Sequence, residues 1–223
     1  MTDDLDAIAL LADPARRAAY RVVIDAAPEP VSRDEVARAL NVGRTLAAFH
    51  LDKLVEAGLL EASFRRLGDR RGPGAGRPAK LYRRAAGEVA ASLPPRTYET
   101  AAHLLAETVE QAGADLELQA AARRAGAEAG RRIAAQAPAA SGPAVDQVLA
   151  ARGYEPYRDG DALRLRNCPF ATLSAEFPVL VCAMNLCLVE GLLDGLGQDP
   201  GRAVMEPAPD RCCVAVLSKD NQD

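Results

Sequence analysis

Five cysteines fall between positions 168 and 213 of this 223-residue chain, in the segments Asn167-Cys168-Pro169-Phe170, Leu180-Val181-Cys182, Asn185-Leu186-Cys187 and Arg211-Cys212-Cys213. Thiolates are good ligands for zinc and for iron–sulfur clusters. An odd number of cysteines in one segment cannot all pair as disulfides within one chain, and a reducing cytosol disfavours structural disulfides. The clustering therefore favours a metal site. Against this stand the lack of a CxxC pair and the tendency of free cysteine to pack as a small apolar side chain.

Geometry narrows the set. Pro178 opens an apolar helix that ends around Gly195-Leu196-Gly197, and on it Cys182 shares the inward face of Leu186, Val189, Leu193 and Leu196. Cys187 lies five residues on, roughly 140° around the helix, beside Ala183, Glu190 and Asp194. Adjacent Cys212 and Cys213, read as part of a strand from Cys212 to Leu217, would project to opposite faces, so that one of them reaches the site. The expected trio is Cys168, Cys182 and Cys212. Cys187, Cys213, an acidic residue or an exogenous group is left as the fourth ligand.

The second chemical signal is charge. Between Phe64 and Arg84 eight basic residues (Arg65, Arg66, Arg70, Arg71, Arg77, Lys80, Arg83, Arg84) face one acid, Asp69, although the whole chain carries a net charge of −4. Such a block in an otherwise acidic chain is a phosphate-binding element or a solvated loop, and its neighbours decide between the two.

Those neighbours read as helix, turn, helix. Asp13-Pro14 is an N-cap followed by proline, opening a helix that ends near Ala27-Pro28. Ser32-Arg33-Asp34-Glu35 is a capping box for a second helix, broken by Asn41-Val42-Gly43. A third runs from about Arg44 to Ala57, with Ala47, Leu51 and Leu54 on its core face and Gly58 as its stop. Leu59–Arg66 and Lys80–Arg83 then read as two strands joined by a Gly/Pro/Arg tip, which makes a wing. Recognition helix and basic wing would face one side of the domain, with Arg44, Thr45, His50, Lys53, Arg70, Arg71, Arg77 and Lys80 as candidate DNA contacts. For His50 a hydrogen-bonded core or surface role weighs equally with DNA contact.

The stretch Gly43–Leu59 resembles the recognition helix and its exit in ArsR-like winged-helix regulators, over roughly positions 5 to 84. The terminal half, with Cys168-Pro169-Phe170 after a hairpin, Phe177–Cys182 opening a helix and a closing cysteine strand, resembles the SufR-type branch of those regulators. That resemblance implies iron–sulfur sensing in which loss or oxidation of the cluster changes the grip on DNA. Cys187 and Cys213 are additions to the simplest pattern of that branch.

The expected fold is mostly α with α+β parts. It comprises a winged helix-turn-helix domain over 1–86, linker and dimerisation helices over 87–137, and a small α+β cysteine-containing domain over 138–223. Ser92-Leu93-Pro94-Pro95 reads as the hinge. From Tyr98 to Ala112, the residues Tyr98, Ala101, Leu105, Val109 and Ala112 form an apolar stripe expected to pair with a second copy. A helix over Asp115–Gln136 stacks on its neighbour or covers the terminal domain. That domain adds a helix from Val145 to Arg152, a hairpin across Arg158-Asp159-Gly160, and strands at Ala203–Glu206 and Cys212–Leu217.

At 49% hydrophobic and 26% charged residues the composition is that of a globular protein, and 4% aromatics without Trp argues against an aromatic ligand cage. The acidic start, Met1-Thr2-Asp3-Asp4, does not read as a signal peptide, so a cytoplasmic location is expected. His50 and His103 lie far from the cysteines in sequence, and there is no phosphate-binding glycine motif, which disfavours an enzyme. The reading is a homodimeric DNA-binding regulator, in sense a repressor, tuned by an iron–sulfur cluster or metal. The alternatives are a regulator that uses zinc or an organic effector without a cluster, and a winged helix that binds protein rather than DNA.

Overall fold

A computed structural model describes residues 4–65, 78–94, 96–136, 143–209 and 211–218. The chain divides into two compact units, 1–96 and 97–223.

The first unit begins with α1 (Asp4–Ala9), a 3-10 turn at Leu10–Ala12 and α2 (Pro14–Asp25). Asp13 caps α2, its carboxylate accepting from the backbone N–H of Ala15 at 2.8 Å and of Arg16 at 3.1 Å. β1 (Val31–Ser32) leads into α3 (Arg33–Leu40), whose capping box is complete: the Glu35 carboxylate accepts from the Ser32 N–H at 2.7 Å, and Ser32 Oγ accepts from the Glu35 N–H at 3.3 Å. Asn41, at φ 53°, ends α3 in the left-handed conformation that asparagine tolerates. α4 (Arg44–Glu56) follows after a short turn and stops at Gly58, where φ is 75°.

β2 (Leu60–Arg65) and β3 (Ala79–Arg84) pair antiparallel, Leu60 opposite Arg84 and Arg65 opposite Ala79, and β1 adds to the other edge of β3. Ala19, Val23, Val36, Ala47, Leu51, Leu54, Leu60 and Tyr82 form the core that locks three helices onto this sheet. Sequence patterning misses α1 and β1. α1 buries a single residue, Ala7, and a two-residue strand is too short to show alternation.

The second unit contains α5 (Tyr98–Ala112), α6 (Asp115–Gln136), α7 (Val145–Ala150), β4 (Pro156–Asp159), β5 (Ala162–Leu165), α8 (Ala171–Glu176), α9 (Pro178–Gly195), a 3-10 turn at Pro200–Arg202, β6 (Ala203–Met205) and β7 (Val214–Leu217). Its four strands form one antiparallel sheet in the order β4-β5-β7-β6. α9 is long and apolar enough to cross a membrane by length and composition, but half of it is buried inside the unit, where Val189, Leu192 and Leu193 meet Leu149, Leu165 and Val214.

Its other face lies against α6 at backbone distance. A Cβ on Gly126, Gly130, Gly191 or Gly195 would collide with main-chain atoms of the opposite helix. Of the two placements that the pattern allowed for α6, the structure shows the one that covers the terminal unit. α5 joins α8 and α9 through Ala106, Phe177, Leu180 and Val181, and through His103, whose ring meets that of Phe177 edge-on at 5.2 Å. α8 is absent from the sequence reading, since six residues without a buried side chain leave no periodic signal.

Candidate nucleic-acid interface and cysteine site

In the first unit α3, the turn at Asn41–Gly43 and α4 make a helix-turn-helix, with the two-stranded wing of β2 and β3 following it. Ala47, Leu51 and Leu54, fully buried, turn one side of α4 inward. The opposite side presents Arg44, Thr45, Leu46 and Phe49, all exposed. Residues 11–62 match the family model of a helix-turn-helix domain. No curated protein and no solved structure matches the chain.

On the outer face of this helix-turn-helix domain the candidate cations are already engaged. Arg44 reaches Asp34 at 3.4 Å, Lys53 reaches Glu56 at 2.6 Å, and Lys80 reaches Asp52 at 2.7 Å. These pairs are half-exposed and individually weak, about 0–1 kcal/mol each, so a phosphate can displace the acid from any of them. Asp52 is the hub between recognition helix and wing, because its Oδ1 also accepts from the Tyr82 hydroxyl at 2.9 Å. In front of it lies a groove of about 570 Å³ bounded by Arg33, Asp34, Ala48, Phe64 and Lys80.

His50 does not reach this face. It is 5% exposed, packed within the helical core, and neither ring nitrogen has a hydrogen-bond partner among the described residues. It sits three positions after Ala47 and one before Leu51, so the helical period carries it to the core side of α4. Arg70, Arg71 and Arg77 lie outside the described residues. Asp52 was missed as a site residue, although its place on α4 four residues after Ala48 puts it on the outer face.

The candidate cysteine residues of the second unit lie on two irregular segments and one helix. Asn167 pins the loop before Cys168, its Oδ1 accepting from the Glu155 N–H and its Nδ2 donating to the Gly153 carbonyl, both at 2.7 Å. The Cys212-Cys213 segment is tied down by the Cys212 N–H to the Leu165 carbonyl (2.9 Å) and the Glu206 N–H to the Cys213 carbonyl (2.7 Å). Glu206 Oε1 accepts in addition from Arg211 at 2.8 Å and Arg164 at 2.9 Å, and the two guanidinium groups hold its carboxyl below the usual range, Arg164 foremost. Cys182 stands on the first turns of α9.

The thiols meet in two pairs. Cys168 and Cys212 lie close enough to set each other's acidity, and Cys182 lies close enough to act on Cys213. The first pairing pushes the Cys168 thiol up, burial adding to it, and holds Cys212 below its ordinary value. Burial and then Cys182 push Cys213 up to about 12.

Cys212 and Cys213 each lie beside another cysteine, Cys168 and Cys182 respectively. They precede β7, which starts at Val214, so strand alternation does not separate them. Cys187 stands elsewhere on α9, buried against Arg123 Nη2 at 3.6 Å and Gln119 Oε1 at 4.0 Å. Burial, then the Glu190 charge, raise its thiol. Of the two cysteines left open for a fourth position, Cys213 lies by Cys182, while Cys187 lies apart against Arg123 and Gln119.

The donor set suits a thiolate-bound metal group in chemistry. Among the described residues, however, no three His, Cys, Asp or Glu side chains already stand in a group that could hold an ion. Ligation would form metal–sulfur bonds and release the thiol protons.

Proposed function

We propose that this chain is a DNA-binding transcriptional regulator, acting as a homodimeric repressor whose second unit carries a thiolate-ligated group that sets its affinity for DNA. The observation that carries the DNA reading is the helix-turn-helix over 11–62 with an exposed outer face on α4. Arg44, Thr45 and Lys53 contact DNA there, and Arg70, Arg71 and Arg77, together with Lys80 on β3, bind backbone phosphate.

Pairing with a second copy is supported by α5. Tyr98 and Leu105, expected in the apolar stripe, are 75% and 67% exposed, and Leu104 and Leu116 add to the uncovered apolar surface. Two recognition helices related by a two-fold axis would read half-sites about one DNA turn apart.

Cys168, Cys182, Cys212 and Cys213 would hold an iron–sulfur cluster, a reading that the two thiol pairs support and that zinc shares. When bound, the group would supply a redox-sensitive crosslink between the segment before β7, α9 and the loop after β5. The chain's own residues do the rest: Glu206 and Asn167 hold the ligand segments, and α9 passes any shift at Cys182 along its length to α6. Two states of the dimer then differ in the separation of their recognition helices.

The test is iron, acid-labile sulfide and zinc per chain in protein purified without oxygen, with DNA affinity measured before and after chelation. Cys168→Ser and Cys213→Ser should lose the bound metal and change the affinity, while Cys187→Ser should keep both. Equal metal and equal affinity in all three variants would refute the assignment.

A further inference from the structure

Asn185 is fully buried on α9, and with His50 it is one of two buried polar side chains among the described residues. Its surroundings are apolar: Leu149, Leu165, Val189 and Val214 form the adjoining core. A primary amide in such a place is costly unless both of its ends are paired. Here both are. The Tyr154 hydroxyl, itself 4% exposed, donates to Asn185 Oδ1 at 2.5 Å, and Asn185 Nδ2 donates to Cys212 Sγ at 3.4 Å.

The direction of this chain is set by valence. A thiolate or a metal-bound sulfur can only accept, so the amide must turn N–H toward Cys212 and its carbonyl toward Tyr154, whose hydroxyl then has to donate. Tyr154 comes from the segment after α7 and Asn185 from the middle of α9, so a hydroxyl of one element backs the amide of another that donates to the sulfur.

We propose that Tyr154 and Asn185 form a donor relay that holds the Cys212 sulfur in its ligating state, which makes both of them positioning residues for the cysteine site. The inference rests on the reading of the cysteines as a ligand set. Donors in the second layer around a metal site fix ligand orientation and typically carry about 10- to 100-fold in metal affinity, and hydrogen bonds to ligating sulfurs raise the reduction potential of a cluster.

The experiment compares the full-length protein with Asn185→Leu, which keeps the volume and removes the donor, and with Tyr154→Phe, which removes one hydroxyl. Each is loaded without oxygen with ferrous iron plus sulfide, and separately with zinc. Metal retained against a chelator, the midpoint potential of any iron–sulfur chromophore and helical circular dichroism are read together. The relay predicts about 10- to 100-fold weaker retention in Asn185→Leu, a smaller loss in Tyr154→Phe, and potentials moved to more negative values, with helical content as in the parent.

Should Asn185→Leu fail to fold, Tyr154→Phe decides the matter, because it leaves the ring in place. A parent protein that loads while retention and potential stay unchanged in the folded variants overturns the relay alone. A parent that takes up neither iron with sulfide nor zinc overturns the ligand reading and the relay with it.

Discussion

Lys80 on β3 donates to Asp52 on α4 at 2.7 Å, and so the wing is fastened to the recognition helix by an ion pair on the face proposed to meet DNA. The same carboxylate accepts from the buried Tyr82 hydroxyl. Asp52 thus serves two partners of unequal burial, and the consequences of removing it separate. Asp52→Ala strands the Tyr82 hydroxyl and should cost about 1–3 kcal/mol of unit stability. Lys80→Met removes only a half-exposed pair and should cost about 0.2–1 kcal/mol. Asp52→Asn should tighten binding to duplex DNA at low salt, because it frees Lys80 and removes a negative charge from the interface. Denaturant melts and DNA titrations check the three variants, and an Asp52→Asn protein that binds more weakly than the parent would contradict the tether.

The capping box of α3 carries a pH dependence. The Ser32 backbone and side chain hold the Glu35 carboxyl below its usual value. A depressed carboxylate contributes stability that is present above its unfolded value, near 4.5, and is lost as pH falls through the folded one. Glu35→Gln should therefore lower the thermal midpoint at pH 7, with a cost of about 0.3–1 kcal/mol, and the gap to the parent should close toward pH 3. A gap that is the same at both values would show that ionisation of Glu35 has no part in it.

Gly191→Ala opposes two effects. Alanine favours an isolated helix over glycine by about 1 kcal/mol. At this position, however, the added Cβ meets the Arg123 carbonyl and the Ala127 amide of α6, and neither is able to rotate away. Overpacking of this kind costs about 1–3 kcal/mol, so the substitution should destabilise the second unit. An unchanged or raised melting midpoint would mean that α6 and α9 do not approach at backbone distance.

The helix-turn-helix was legible because its signals are local: a proline after an N-cap, a capping box, an asparagine turn and a glycine stop, each with one backbone meaning. α5 and α6 were bounded in the same way, with Gly113 at φ 61° between them. His50 was not resolved by pattern, because an amphipathic stripe allows a polar residue at its margin and only packing settles on which side it falls. The cysteine site was half legible. Helical period set Cys182 and Cys187 apart, whereas the pairing of Cys213 with Cys182 depends on an irregular approach to β7 that no alternation rule describes. Asp52 and Asn185 carry no motif at all, and their roles arise from residues 27 or more positions away.

The central claim is that the outer face of α4 and the basic wing bind duplex DNA through phosphate contacts. Its most direct test is titration of a labelled duplex pool by the full-length protein from 50 to 200 mM salt, alongside Arg44→Ala and the double variant Arg70→Ala with Arg71→Ala. The account predicts binding that weakens with salt along a log–log slope of about −0.9 per phosphate contact, a weaker Arg44→Ala protein, and a slope reduced by roughly 2 in the double variant. No binding at 50 mM salt, or binding that neither salt nor these variants alter, would contradict it.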